Sequence, residues 1–178
     1  MEEKTGLVIV HTGNGKGKTT AALGLAMRAW GDGLRVLILQ FIKGAWKYGE
    51  IETIKKLGEI DGRIELHRLG KGFQRDENDK REHIAAAQEA LQDAEDAFLS
   101  KKYDLIILDE INYAVKFDLI TVNDIKNLLA KRPAELHVVL TGREAREEII
   151  DMADLVTEMT LIKHPYQKGI KAQKGIEF

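Results

Sequence analysis

Eight residues, Thr12-Gly13-Asn14-Gly15-Lys16-Gly17-Lys18-Thr19, stand between an apolar run, Gly6 to His11, and an Ala/Leu-rich stretch from about Thr19 to Trp30. Glycines this close together continue neither a strand nor a helix, so the apolar run ends in a turn and a new helix starts behind it. A glycine-rich turn into a helix N-terminus converges backbone N–H groups and the positive end of the helix dipole on one point, which suits a phosphate chain. Lys18 would lie along the phosphates, and the Thr19 hydroxyl would ligate Mg2+. Thr12, Gly13, Asn14, Gly15, Lys16, Gly17, Lys18, Thr19 and Thr20 are therefore candidate ATP-binding residues, with Lys18 the candidate catalytic cation. The pattern departs from the usual one at a single place. A glycine is expected five positions before Gly17, and Thr12 stands there, so the loop is expected to cup its phosphates differently from an ordinary NTPase.

The rest of the chain repeats this alternation of short apolar runs and longer amphipathic stretches, the pattern of βα units in a mostly parallel sheet. Strands are predicted over Gly6 to His11, Leu34 to Phe41, near Ile64 to Leu66, Tyr103 to Leu108, Leu136 to Leu140 and Leu155 to Leu161. Helices are predicted from about Thr19 to Trp30, as a short element before Ile64, from about Asp79 to Ser100, near Thr121 to Lys131 and from about Glu144 to Met152. In the long helix, Ile84, Ala87, Leu91, Ala94 and Phe98 recur at three- and four-residue steps and would face the sheet. The expected fold is α/β of the P-loop NTPase type, RecA-like, with helices on both faces of a central sheet. With 178 residues, 44% hydrophobic and 31% charged, a single domain over 1–178 is expected. Residues 163–178 carry four lysines against one glutamate and no clear period, and are expected to form a tail folded over the surface.

Further candidates lie where such sheets bind ligands, at the carboxyl ends of their strands. The run Tyr103 to Leu108 ends in Asp109-Glu110, and either carboxylate could hold a metal or its water. Thr141-Gly142-Arg143 follows the fifth strand, and two readings fit Arg143: a phosphate or ribose contact, or an ion pair with Glu144 or Glu147. Arg28, in the helix after the glycine-rich turn, is open in the same way. Trp46 and Phe73 fall in irregular segments, where a large apolar side chain either caps the core or meets a ligand. The 27 basic and 29 acidic residues nearly cancel and are interspersed, which excludes the concentrated positive stripe of a nucleic-acid binder. The chain has no cysteine and its five histidines are scattered, so neither a disulfide framework nor a thiolate metal site is available, and a cytoplasmic address is expected. No apolar segment is long enough to read as a signal peptide or membrane span.

Taken together, Thr12 to Thr20, Gln40-Phe41-Ile42-Lys43-Gly44, Leu108-Asp109-Glu110, Thr141-Gly142-Arg143 and the closing Lys171-Ala172-Gln173-Lys174-Gly175-Ile176-Glu177-Phe178 resemble the P-loop-type ATP:corrinoid adenosyltransferases. The resemblance runs from Val8 almost to the last residue. It implies transfer of the 5′-deoxyadenosyl group of ATP to the cobalt(I) of a cobalamin or precursor, with triphosphate as leaving group and Mg2+ as its companion. It also implies a nucleotide lying reversed in the loop, a homodimer, and an outside reductant such as a flavoprotein. Lys16 and Arg28 become plausible helpers, and Trp46 and Phe73 become candidate corrinoid contacts. Two departures accompany it. Phe73 matches the first of an aromatic pair that helps strip the lower ligand from cobalt, but Arg75 stands at the second position. Members also carry an N-terminal extension over the site, whereas the first strand here begins within a few residues of Met1, so corrinoid shielding is expected to differ. The competing readings are a P-loop kinase or NTPase acting at the γ-phosphate, and a non-catalytic ATP- or corrinoid-binding protein.

Overall fold

The computed structural model describes residues 5–42, 48–69 and 80–177. Six parallel strands form one sheet: β1 (Val8–Thr12), β2 (Val36–Gln40), β3 (Ile64–Arg68), β4 (Leu105–Asp109), β5 (His137–Thr141) and β6 (Leu155–Glu158), in the spatial order β3-β2-β4-β5-β1-β6. The helices are α1 (Lys18–Gly31), α2 (Gly49–Asp61), α3 (Lys80–Leu99), α4 (Ile111–Lys116), α5 (Val122–Ala130) and α6 (Glu147–Ile150), followed by a 3-10 turn at Pro165–Lys168.

The unbroken apolar runs of β1, β2 and β4 are buried along their whole length, because helices cover the sheet on both sides. Successive side chains point to opposite faces. Ile106 and Leu108 enter a core that includes Ala87, Ala94 and Phe98 of α3, whereas Leu105 and Ile107 enter the core beneath α1 and α2 with Ala22, Ala26 and Ile54. The three- and four-residue spacing in α3 thus marks its buried stripe, and Phe98 is fully enclosed. Thr121 starts α5 with a capping box: its hydroxyl accepts from the Asp124 N–H while the Asp124 carboxylate accepts from the Thr121 N–H.

Several boundaries differ from the sequence reading, each for a local reason. Gly6 lies ahead of β1 because its N–H bonds to the Ala134 carbonyl, in a place where a Cβ would come within 2.2 Å of the Leu136 oxygen. Helix α6 is confined to Glu147–Ile150, since Gly142 and Glu144 have φ of +133° and +54° and the chain is still turning there. Strand β6 stops at Glu158 because the backbone of Met159 bonds to the glycine-rich loop. Helix α4 was not anticipated, being too short to show a period. Trp46, Phe73 and Arg75, with the end of the Gln40 to Gly44 segment, lie outside the described residues. Among the described residues no helix is long and apolar enough to cross a membrane.

Candidate active site

The glycine-rich turn leaves β1 and enters α1 through Gly17, whose φ of +111° belongs to the left-handed region that favours glycine. Gly13 needs the same freedom, with φ of +94°, and a Cβ there would stand 2.5 Å from the Met159 oxygen. The loop rests on the chain that follows β6: the Gly15 N–H donates to the Met159 carbonyl at 2.6 Å, and the Met159 N–H donates to the Thr12 carbonyl at 2.9 Å. Inside the turn the buried Lys18 ammonium donates to the carbonyls of Gly13 at 2.8 Å and Gly15 at 2.6 Å. Burial pulls the Lys18 pKa below the ordinary lysine value, the Arg143 charge adds to this, and Glu110 opposes it.

Thr12, the departure from the usual glycine, is engaged in the fold. Its hydroxyl oxygen accepts from the Ala145 N–H at 3.0 Å, so the end of β1 is tied to the turn that carries Arg143. His11, one residue earlier, is buried with Nδ1 3.4 Å from the Lys18 carbonyl oxygen; burial lowers its pKa, against the effect of that bond.

The carboxylates expected at the end of the Tyr103 to Leu108 run sit at the tip of β4, one strand removed from β1. Strand β5 lies between β4 and β1, and the Thr141 hydroxyl at its end fills the gap. Thr141 donates to Asp109 Oδ1 at 2.8 Å and accepts from the Glu110 N–H at 2.9 Å. Thr19 donates to the same Oδ1 at 2.8 Å, and Gln40 Nε2 donates to Oδ2 at 3.1 Å. Asp109 is thereby buried under side-chain donors from α1, β2 and β5. Glu110 begins α4 with φ of +65°, a turn that brings it to the cleft wall while Asp109 stays beneath. The two acids thus occupy different positions. With its proton spent on Asp109, Thr19 Oγ1 keeps its lone pairs, and it and Glu110 are hard oxygen donors that could hold a cation such as Mg2+. Among the described residues no cluster of three or more His, Cys, Asp or Glu could hold a metal, so phosphate oxygens and water would complete the coordination.

These groups open on a cleft of about 630 Å3. Its floor is the loop from Gly15 to Thr20, and its walls include Leu23 and Met27 of α1, the start of α2, Tyr113 and Arg143. Tyr113 stacks on Phe117 with ring centroids 5.6 Å apart. Arg143 stands on the cleft wall, and Glu144, one of the two partners considered for it, accepts from Lys116 at 2.5 Å. Arg28 is exposed in the last turn of α1, one residue beyond the cleft-lining Met27. Gly175, Ile176 and Glu177 also line the cleft, and Lys16 forms an ion pair with Glu177. The bonds made by Gln40, Thr141, Met159 and Glu177 join parts of the chain far apart in sequence, and no local motif announces them.

The family profile for the ATP:corrinoid adenosyltransferases BtuR/CobO/CobP matches residues 4–178. This chain belongs to that family. A corrinoid adenosyltransferase of a Sinorhizobium species is 43% identical over 178 residues, covering 99% of this chain and 82% of the relative. One from Escherichia coli K12 is 37% identical over 177 residues, covering 99% and 88%. Among solved structures, the flagellar accessory protein FlaH of Methanocaldococcus jannaschii superposes with a TM-score of 0.60 at 13% identity, over 87% of this chain and 71% of FlaH. The KaiC-like protein PH0186 of Pyrococcus horikoshii gives 0.53 at 17% identity, over 91% and 75%. Those two likenesses speak for the fold, which is the RecA-like P-loop arrangement, and family membership makes the chain an adenosyltransferase.

Proposed function

We propose that this adenosyltransferase moves the 5′-deoxyadenosyl group of ATP to the cobalt(I) of a corrinoid and releases triphosphate. The observation that carries the reading is the buried Lys18 inside a loop whose mouth also presents Thr19, Glu110 and Arg143 to one cleft. The described lining residues include no serine, histidine or cysteine, and the reaction asks for no protein nucleophile. The cobalt(I) electron pair attacks C5′ of ATP, a cobalt–carbon bond forms, and the C5′–O bond breaks with its electrons going to the triphosphate. Charge then grows on the leaving oxygen, and preorganised cations and N–H donors stabilise it. Lys18 and the loop amides hold the polyphosphate, Arg143 reaches it from the wall, and Lys16 and Arg28 assist. Thr19 and Glu110 would hold Mg2+, which when bound neutralises phosphate charge; Asp109 fixes the Thr19 hydroxyl for that task. Thr12 ties the loop down through its hydroxyl oxygen, which accepts from the Ala145 N–H and leaves the hydroxyl proton to donate to a phosphate oxygen.

Trp46 and Phe73 are assigned to the corrinoid side on the strength of the family resemblance. An external reductant, such as a flavoprotein, supplies cobalt(I), and the setting is the cytoplasm. The protein works as a homodimer, a reading supported by the exposed edge strand β6 with Leu155 and Val156 open on it, and sedimentation checks it.

The deciding experiment incubates the protein with ATP, Mg2+ and chemically reduced corrinoids, from cobalamin to earlier precursors. Triphosphate and a light-sensitive cobalt–carbon bond are expected. ADP or free phosphate formed whether or not corrinoid is present would overturn the assignment, as would ligand binding with no product at any reductant strength. Lys18→Ala is expected to abolish triphosphate release.

A further inference from the structure

We infer that Glu177 is a tethered competitor of the polyphosphate at Lys16, setting how firmly ATP and triphosphate are held. The inference rests on the nucleotide reading of the cleft. Its own ground is the path of the chain after β6. That chain touches the loop at Met159, leaves it through the 3-10 turn at Pro165–Lys168, and returns to it at Gly175, Ile176 and Glu177. The return is shaped by a turn in which the Ile176 and Glu177 N–H groups both donate to the Gln173 carbonyl, at 3.2 and 2.8 Å, with Gly175 at φ of +79°.

The turn delivers the Glu177 carboxylate to Lys16, in the middle of the phosphate loop. The Glu177 side chain is 15% exposed and that of Lys16 is 50% exposed, so the acid is tucked under the cation while the cation still faces the cleft. A phosphate arriving at Lys16 meets a negative charge already paired with it. Either the carboxylate stays and repels the phosphate, or it swings away and its ion pair is lost, and both outcomes weaken anion binding. Because the competitor belongs to the same chain, it acts at the high effective concentration of an intramolecular group. The opposition scales with the charge of the incoming anion. Free triphosphate carries more negative charge than the same phosphates esterified to adenosine, so Glu177 disfavours the leaving group more than the substrate and helps clear the loop after transfer.

Calorimetric titration without corrinoid, where ATP is not consumed, tests this on wild type, Glu177→Gln and Glu177→Ala. Magnesium ATP and magnesium triphosphate are the probes. Both variants should bind ATP about two- to five-fold more tightly, the scale of an exposed ion pair. Both should gain more on triphosphate than on ATP, and the gain should shrink in high salt. Unchanged or weaker binding in the variants, or an equal gain that salt does not touch, would overturn the inference. Such a result leaves the adenosyl-transfer reading standing, since that falls only on the product assay. Conversely, tighter binding in a protein that makes ADP would keep the role of Glu177 and remove the transferase.

Discussion

Thr141 shows how much a single hydroxyl organises. It donates to Asp109 and accepts from the Glu110 N–H, so Thr141→Val strips a bond from a buried carboxylate and leaves a backbone donor without its acceptor. A loss of about 1–3 kcal/mol is expected in urea unfolding, together with a larger loss of Mg2+-dependent ATP binding. His11 predicts a pH dependence. Its pKa is lowered by burial in the folded state, so at falling pH the unfolded chain takes the proton first. Stability contributed by the neutral imidazole is therefore complete above about pH 6.5, declines as the pH drops below that value, and stops declining below the folded pKa. Urea midpoints across that range should show the decline, and His11→Gln should flatten it. Lys18 and Thr19 were legible because a phosphate loop is a local pattern of consecutive residues. Thr141 was legible only as part of a triplet, and Gln40 only as part of a family segment, because the Asp109 carboxylate that joins them comes from a third strand.

Among the elements, the strands were the most readable. β2 and β4 are covered on both faces, so their apolar runs are continuous and cannot be confused with half-exposed helices. α3 was readable because twenty residues carry a full set of three- and four-residue steps. α4, with six residues, carries too few turns to show one, whereas the helix expected from about Glu144 to Met152 is present as the four residues of α6, shortened by the backbone turn at Glu144. The start of α5 rests on the reciprocal bonds of Thr121 and Asp124. Thr121→Ala removes the side-chain half of that box and is expected to lower stability by about 0.5–2 kcal/mol in urea titration, with ATP affinity unchanged.

On the scale of the whole molecule, the order of strands was hidden from the sequence. Parallel βα units announce their hydrophobic runs but not which runs become neighbours, and so the interposition of β5 between β1 and β4 emerged only from the fold. The same holds for the path after β6: the stretch expected to lie as a tail over the surface is almost wholly exposed, and its return to the first loop at Gly175 to Glu177 could not be read from its residues. That path has a chemical consequence. Without any cysteine, thiol-directed reagents have nothing to attack, but the Met159 sulfur lies 3.2 Å from where a Cβ on Gly17 would stand. Peroxide converting this thioether to the sulfoxide would push a polar oxygen into the seat of the loop. ATP binding should then fade on mild oxidation, survive it in Met159→Leu, and return when a methionine sulfoxide reductase is added: a redox sensitivity reaching the earliest motif of the chain from nearly its far end.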